Sequence, residues 1–207
     1  MILEILGTIL GFIYLYLEIK QKQGMWVVGF IMALVYAIIY FQQEIYASMC
    51  FQIYYILVSI YGFILWGKDK LRGSGNLQKD SSQQENEEHK PENKNGIFYR
   101  KLPLKTLLAS TAVYIAATTL MVTVLNKITA DPMPLTDSSI TVLSAIATFW
   151  LSKSYKEQWL VWFAVNIVTV IMTLQLGLYP TALLYTVNAA ASVYGYIHWK
   201  KSGILIK

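Results

Sequence analysis

Cysteine and histidine are almost missing from this chain, which has one cysteine, Cys50, and two histidines, His89 and His198. A lone cysteine closes no internal disulfide, and Cys50, inside an apolar stretch, reads as a small packing residue. Two distant histidines and that cysteine make no metal-ligand set, so neither a metal centre nor any other cofactor is expected. Charge is scarce as well: 14% of the residues are charged against 56% hydrophobic, a balance that soluble domains rarely reach. Helices that are apolar all round belong in lipid or in a very large core, and 207 residues cannot build such a core. The sequence also lacks a Ser-His-Asp pattern, a P-loop and a glycine-rich nucleotide fingerprint. A membrane enzyme acting on lipids or isoprenoids would need paired carboxylates or histidines near the interface, and the sequence has no such pair. No enzymatic activity is therefore expected. The opening Met1-Ile2-Leu3-Glu4 has neither a basic lead nor a small-residue cleavage site, so it is expected to begin a retained helix.

What is there is apolar and segmented. Seven stretches of near-spanning length run over 2–19, 25–41, 45–66, 103–125, 138–152, 159–175 and 178–199, which predicts an all-α integral membrane protein with seven transmembrane helices. The fifth is short for a span and calls for tilt or local thinning of the bilayer. Between the third and fourth, residues 67–102 include Gly73-Ser74-Gly75-Asn76 followed by a run rich in Gln, Glu, Asn and Lys. That segment cannot bury enough apolar surface to fold and reads as a disordered linker. Residues 200–207 read as a short tail. Of the 17 basic residues, every one except Lys127 falls on a single side, while Glu4, Glu44, Asp131 and Asp137 fall on the other. The positive-inside rule then places the N-terminus outside and the C-terminus in the cytoplasm. The net charge of +5 is thus topogenic and lipid-facing, and calls for no nucleic-acid partner.

The segments repeat. Trp26, Gln42, Tyr46, Ser59, Tyr61-Gly62 and Trp66 return as Trp159, Gln175, Tyr179, Ser192, Tyr194-Gly195 and Trp199, without a gap, at the 133 positions that separate Trp26 from Trp159. Segments one to three (1–66) and five to seven (138–199) are therefore two copies of a triple-helix unit, and the fourth (103–125) returns the chain across the bilayer. The result is a 3+1+3 parallel repeat about an axis along the membrane normal, an arrangement that places a substrate path between the copies. Solute transport is the first expectation. No span holds a carboxylate or lysine at its centre, since Glu18, Glu44 and Glu157 fall at helix ends, and an ion-coupled transporter needs such a group. Uncoupled facilitated diffusion follows.

The repeat also sorts residues. Trp159, Trp162 and Asn166 share one face of the sixth segment, continued by Thr169 and Thr173. Two indoles one turn apart can sandwich a flat heteroaromatic ring, with cation–π attraction added for a cationic one. Asn166 supplies a neutral donor and acceptor for a hydroxyl or an amide. Trp159 matches Trp26, which also suits an interfacial anchor kept by the fold, whereas Trp162 stands opposite Gly29 and Asn166 opposite Ala33. Such mismatches suit an asymmetric ligand. Asn188 and Tyr55 form another mismatched pair, and Gln52 is a further uncharged polar residue deep in a span; each joins the candidate substrate site, although an interhelical hydrogen bond is the plainer role. Tyr61-Gly62 and Tyr194-Gly195 read as packing. A membrane scaffold that transports nothing would have little use for the mismatched polar residues.

Two stretches carry a family resemblance. Residues 155–166, with Trp159-x-x-Trp162-x-x-x-Asn166, followed by Gly177-Leu178-Tyr179, are similar to the signature of the PnuC family of bacterial vitamin transporters. So are residues 42–48 followed by 60–66 in the first copy. The resemblance covers the chain outside 67–102. It implies a SWEET-like fold, a bacterial inner-membrane location, and uptake of nicotinamide riboside by facilitated diffusion, with trapping by a cytoplasmic vitamin kinase that feeds NAD biosynthesis. It further implies a homotrimer. Met32 stands where nicotinamide riboside carriers tend to have Asn, and residues 3–8 and 29–32 look more like the thiamine-carrying PnuT branch. Thiamine is therefore the alternative substrate.

Overall fold

Helices form where backbone groups must find partners without water, which is the condition inside a bilayer. The computed structural model describes residues 2–42, 46–83, 96–128, 133–175, 177 and 179–206. Among them lie seven helices: α1 (Ile2–Ile19), α2 (Gly24–Gln42), α3 (Tyr46–Gln83), α4 (Leu104–Ile128), α5 (Pro134–Ser152), α6 (Gln158–Gln175) and α7 (Tyr179–Ser202). The stretches Phe51–Leu71, Leu104–Lys127 and Gln158–Gln175 are long and apolar enough on their own to cross a membrane. Large apolar side chains such as Leu57, Leu108, Ile115, Leu120 and Leu183 are exposed, which is the expected condition of a surface solvated by lipid tails. The fifth helix is longer than its apolar run: it starts at Pro134, a residue suited to a first helical position because its missing N–H is an orphan there anyway, and it has 19 residues.

Contacts divide the chain into two compact units. The first comprises Met1–Arg100, Ser152–Ser154 and His198–Lys207, the second Lys101–Leu151 and Tyr155–Ile197. In the first, α2 and α3 pack closely. A Cβ on Gly62 would stand 2.5 Å from the Trp26 ring, so the absence of a side chain there lets the indole lie flat against α3. Trp26 meets Trp66 edge-on at 5.2 Å between centroids, and Trp66 meets Trp199 at 6.2 Å. The Trp199 indole N–H donates to the Ile19 carbonyl at 2.9 Å.

Two of these contacts join repeat equivalents. Trp66 and Trp199 are one such pair. Gln21 and Ser154 are another: the Gln21 amide donates to the Ser154 hydroxyl at 3.2 Å. Both take left-handed backbone conformations, φ 47° and 58°, uncommon for residues other than glycine. All four residues belong to the first unit, beside the ends of α1 and α7.

That end is closed by a strap the composition did not suggest. Residues 67–102 were expected to be a disordered linker, yet α3 continues to Gln83 and residues 97–100 are tied into a short sheet. Helix α3, at 38 residues, is roughly 57 Å long and outruns any bilayer; its last part is polar in sequence, and hydropathy does not separate such a helix from coil. Residues 84–95, including His89, lie outside the described residues, as do Glu44 and Asp131. Strand β1 (Phe98–Tyr99) pairs in parallel with β2 (Ile204–Leu205), so within the tail expected at 200–207, residues 200–202 finish α7 and 204–205 form a strand. Gln21 holds Phe98 at both backbone groups, accepting from its N–H at 2.6 Å and donating to its carbonyl at 2.7 Å. The Arg100 N–H donates to the Ser154 carbonyl at 2.8 Å, and its guanidinium makes a two-pronged pair with the buried Asp69 at 2.6 Å per prong.

Glu18 also departs from expectation. It stands in the last turn of α1, as read, but is only 5% exposed, so a buried carboxylate does exist at this end. Asp69, buried within α3, stands in the last turn of the apolar stretch Phe51–Leu71, and among the described residues no carboxylate stands at the centre of such a stretch.

Candidate functional site

Helix α6 carries the candidate site. Residues spaced three and four apart on a helix share a face, and the buried residues of α6 are Gln158, Trp159, Val165, Asn166, Thr169 and Thr173. Trp162, half-buried, stands on the same face one turn before Asn166. In lipid a face that alternates indole, amide and hydroxyl is costly unless each group is satisfied.

Part of it is satisfied from α7. The Asn166 amide donates to the Ser192 hydroxyl at 3.3 Å, and that hydroxyl donates to the Asn188 carbonyl at 2.8 Å. The relay ties α6 to α7 and fixes the rotamer of Asn166, using only one of the amide's hydrogen-bonding positions. Thr169 and Thr173 donate to carbonyls one turn back, at 2.8 and 2.7 Å, which leaves their oxygen lone pairs as acceptors along the face. The indole N–H of Trp162 is buried without a hydrogen-bond partner, as are both amide atoms of Gln158. An unpaired donor in a buried position costs about 1–3 kcal/mol, so this face carries an electrostatic debt that the fold leaves standing.

Of the residues predicted from sequence, Trp162, Asn166, Thr169 and Asn188 come together here. Trp159 is placed differently. It is almost fully buried, and a Cβ on Gly195 would stand 2.7 Å from its ring, the arrangement that Trp26 has with Gly62. Gln52 and Tyr55 sit half-buried on α3 of the first unit, where the Tyr55 ring meets Tyr54 edge-on at 5.4 Å. The seam of α2 and α3, equivalent to that of α6 and α7, holds an open groove of about 200 Å³ lined by Trp26, Val27, Phe30, Ser59, Phe63 and Ile64 among others. It is apolar where its counterpart is polar.

Sequence reasoning missed two members of the face. Ser192 is matched by Ser59, so the mismatches of the repeat do not single it out, yet only Ser192 has an asparagine to hold. Gln158 was passed over although its equivalent is Met25, a mismatch legible one position before the paired tryptophans.

The sequence model of a family described as nicotinamide mononucleotide transporter matches residues 1–201. The chain is 26% identical to the nicotinamide riboside transporter PnuC of Escherichia coli (strain K12), over 97% of this chain and 85% of that protein. It is 26% identical to the nicotinamide riboside transporter PnuC of Neisseria mucosa, over 88% of this chain and 65% of that one. Among solved structures, the crystal structure of the vitamin B3 transporter PnuC superposes with a TM-score of 0.63 at 22% identity, covering 93% of this chain and 78% of the other; at that identity the likeness is one of fold.

Proposed function

The chain belongs to the nicotinamide mononucleotide transporter family, and from that premise we propose that this multi-pass membrane transporter carries nicotinamide riboside across the bacterial inner membrane. The observation that carries this reading is the face of α6, where the Trp162 indole stands one turn from an asparagine held in place by Ser192. The pyridine of nicotinamide riboside is N-glycosylated and cationic. Stacked on an indole away from water it gains about 0.5–2 kcal/mol from cation–π attraction, while Asn166 and the threonine oxygens offer acceptors and donors to ribose hydroxyls. Trp159 contributes by backing the Trp162 turn from beneath Gly195. Gln52 and Tyr55 are the residues of the first copy assigned to the same substrate.

Transport is by uncoupled diffusion. Among the described residues no carboxylate stands at the centre of an apolar span, Asp69 falling in the last turn of Phe51–Leu71, which supports a path without proton exchange halfway across. Net uptake then depends on a cytoplasmic kinase that phosphorylates the nucleoside and so keeps its inward gradient. The basic residues place the end bearing Lys20, Lys68, Lys153 and Lys200 in the cytoplasm, with the N-terminus outside. Assembly as a homotrimer in the lipid bilayer completes the picture.

Met32, apolar in the middle of α2, favours thiamine as the second reading, because its thiazolium would use the same indole and its aminopyrimidine the same asparagine. Proteoliposomes containing the purified protein, given labelled nicotinamide riboside or labelled thiamine, separate the two. Saturable uptake of the nucleoside, with thiamine failing to compete at equal concentration, is expected. Saturable uptake of thiamine alone replaces the first reading with the second, and uptake of neither removes both.

A further inference from the structure

The proposal concerns Gln158, the first residue of α6. Its side chain is 0% exposed, and neither its amide nitrogen nor its amide oxygen has a hydrogen-bond partner. The backbone is tied normally, with the Gln158 N–H donating to the Tyr155 carbonyl at 3.2 Å; only the amide is left over. A buried amide without partners is among the rarer features of a native fold and asks for an explanation.

The repeat shows that the scaffold does not need it. The equivalent position of the first copy is Met25, also 0% exposed. Methionine and glutamine are nearly isosteric, so what packing asks of this position is an unbranched side chain of that length. The first copy meets the requirement without a polar atom, and the second adds an amide that the fold does not use.

Its position says what it could serve. Gln158, Trp162 and Asn166 follow at intervals of four residues, so they line one face. Gln158 and Asn166 are separated by roughly 12 Å along the axis, the length scale of a pyridine nucleoside laid along the helix. With the ring on Trp162 and the ribose toward Asn166, the ring's far substituent lies toward Gln158. Resting on the transport reading above, we infer that Gln158 reads the carboxamide of the pyridine ring, its amide N–H donating to the carboxamide oxygen and its amide oxygen accepting from the carboxamide nitrogen. Two antiparallel hydrogen bonds of this kind need a donor beside an acceptor, which a primary amide supplies. A carboxylate at the same ring position offers no donor and would place its charge against the Gln158 oxygen.

Gln158→Met, which copies the first repeat, tests this. Full-length wild type and variant are reconstituted in proteoliposomes, and KM is measured for nicotinamide riboside and for the same riboside bearing a carboxylate in place of the carboxamide. Wild type is expected to prefer the carboxamide by tenfold or more, and Gln158→Met to lose about tenfold of that preference, mainly through a higher KM for the carboxamide. The melting temperature of the variant in detergent is expected to equal or exceed that of wild type, because the unpartnered amide is gone. A variant that keeps the wild-type ratio overturns the assignment, as does one that slows both substrates alike. Wild type that transports thiamine and neither riboside instead overturns the nucleoside reading itself, a result obtained before any variant is compared.

Discussion

The two triple-helix copies share a frame and differ in what they leave exposed inside it. In each, a tryptophan lies under a glycine one helix away, Trp26 beneath Gly62 and Trp159 beneath Gly195. Around that shared contact the copies diverge: Met25, Gly29 and Ala33 on α2 become Gln158, Trp162 and Asn166 on α6. The α2–α3 seam is an apolar groove, while the α6–α7 seam holds a hydrogen-bond relay. Duplication kept the packing, and the polar chemistry gathered in one copy.

The divergence has two causes, which the structure helps to separate. A Cβ on Gly29 would stand 3.2 Å from the Tyr14 ring, so in the first copy a large residue on α1 faces a small one on α2. The equivalent of Tyr14 is Ala147, fully buried, so in the second copy the small residue is on α5 and the large one on α6. Part of the Gly29/Trp162 mismatch is thus an exchange of volume between neighbouring helices. The Met25/Gln158 and Ala33/Asn166 mismatches involve polarity and have no such compensation.

Variants at matched positions sharpen or break this division. The largest effect is expected from Gly62→Ala and Gly195→Ala, each of which drives a methyl into a packed indole. Each should cost about 3 kcal/mol, the upper end for overpacking, read as equal losses of thermal stability in detergent; an effect in one copy alone would break the shared frame. Next, Arg100→Gln leaves the buried Asp69 without its cation. With Arg100 itself partly exposed, the loss should be about 2 kcal/mol, and adding Asp69→Asn should recover a good part of it in the same melting assay. Third, Trp162→Leu keeps apolar bulk and removes the indole. It should raise the KM for nicotinamide riboside about tenfold, equivalent to ~1.4 kcal/mol of stacking and cation–π attraction, while Trp159→Leu should lower stability more than it alters KM.

The frame was legible from sequence because its signals are large. Apolar runs of spanning length gave seven helices with ends close to those observed, except that α3 runs on to Gln83 rather than ending at 66, and the unbroken offset gave the repeat. The strap was not legible. Phe98–Tyr99 and Ile204–Leu205 form strands of two residues each, too short for any alternation, and Gln21 looks like any polar loop residue until its amide is seen gripping Phe98. The buried Asp69 likewise reads as one more charge near a helix end. Within the site, Trp162, Asn166 and Thr169 could be placed on one face from spacing alone, because helical periodicity fixes faces. Which groups on that face are satisfied could not be read, since partners such as Ser192 come from another helix.

The most direct test compares the two serines that the repeat retained. Ser192 holds Asn166, whereas Ser59 has Ala33 opposite it in sequence and faces an apolar groove. Uptake kinetics of nicotinamide riboside in proteoliposomes are measured for Ser192→Ala and Ser59→Ala, both of which remove a single oxygen. Ser192→Ala is predicted to raise KM about fivefold, the loss of roughly 1 kcal/mol for a hydrogen bond that orients a binding group, and Ser59→Ala to leave KM within twofold of wild type. Equal effects of the two, or a larger one at Ser59, would contradict the assignment of the substrate to the second copy.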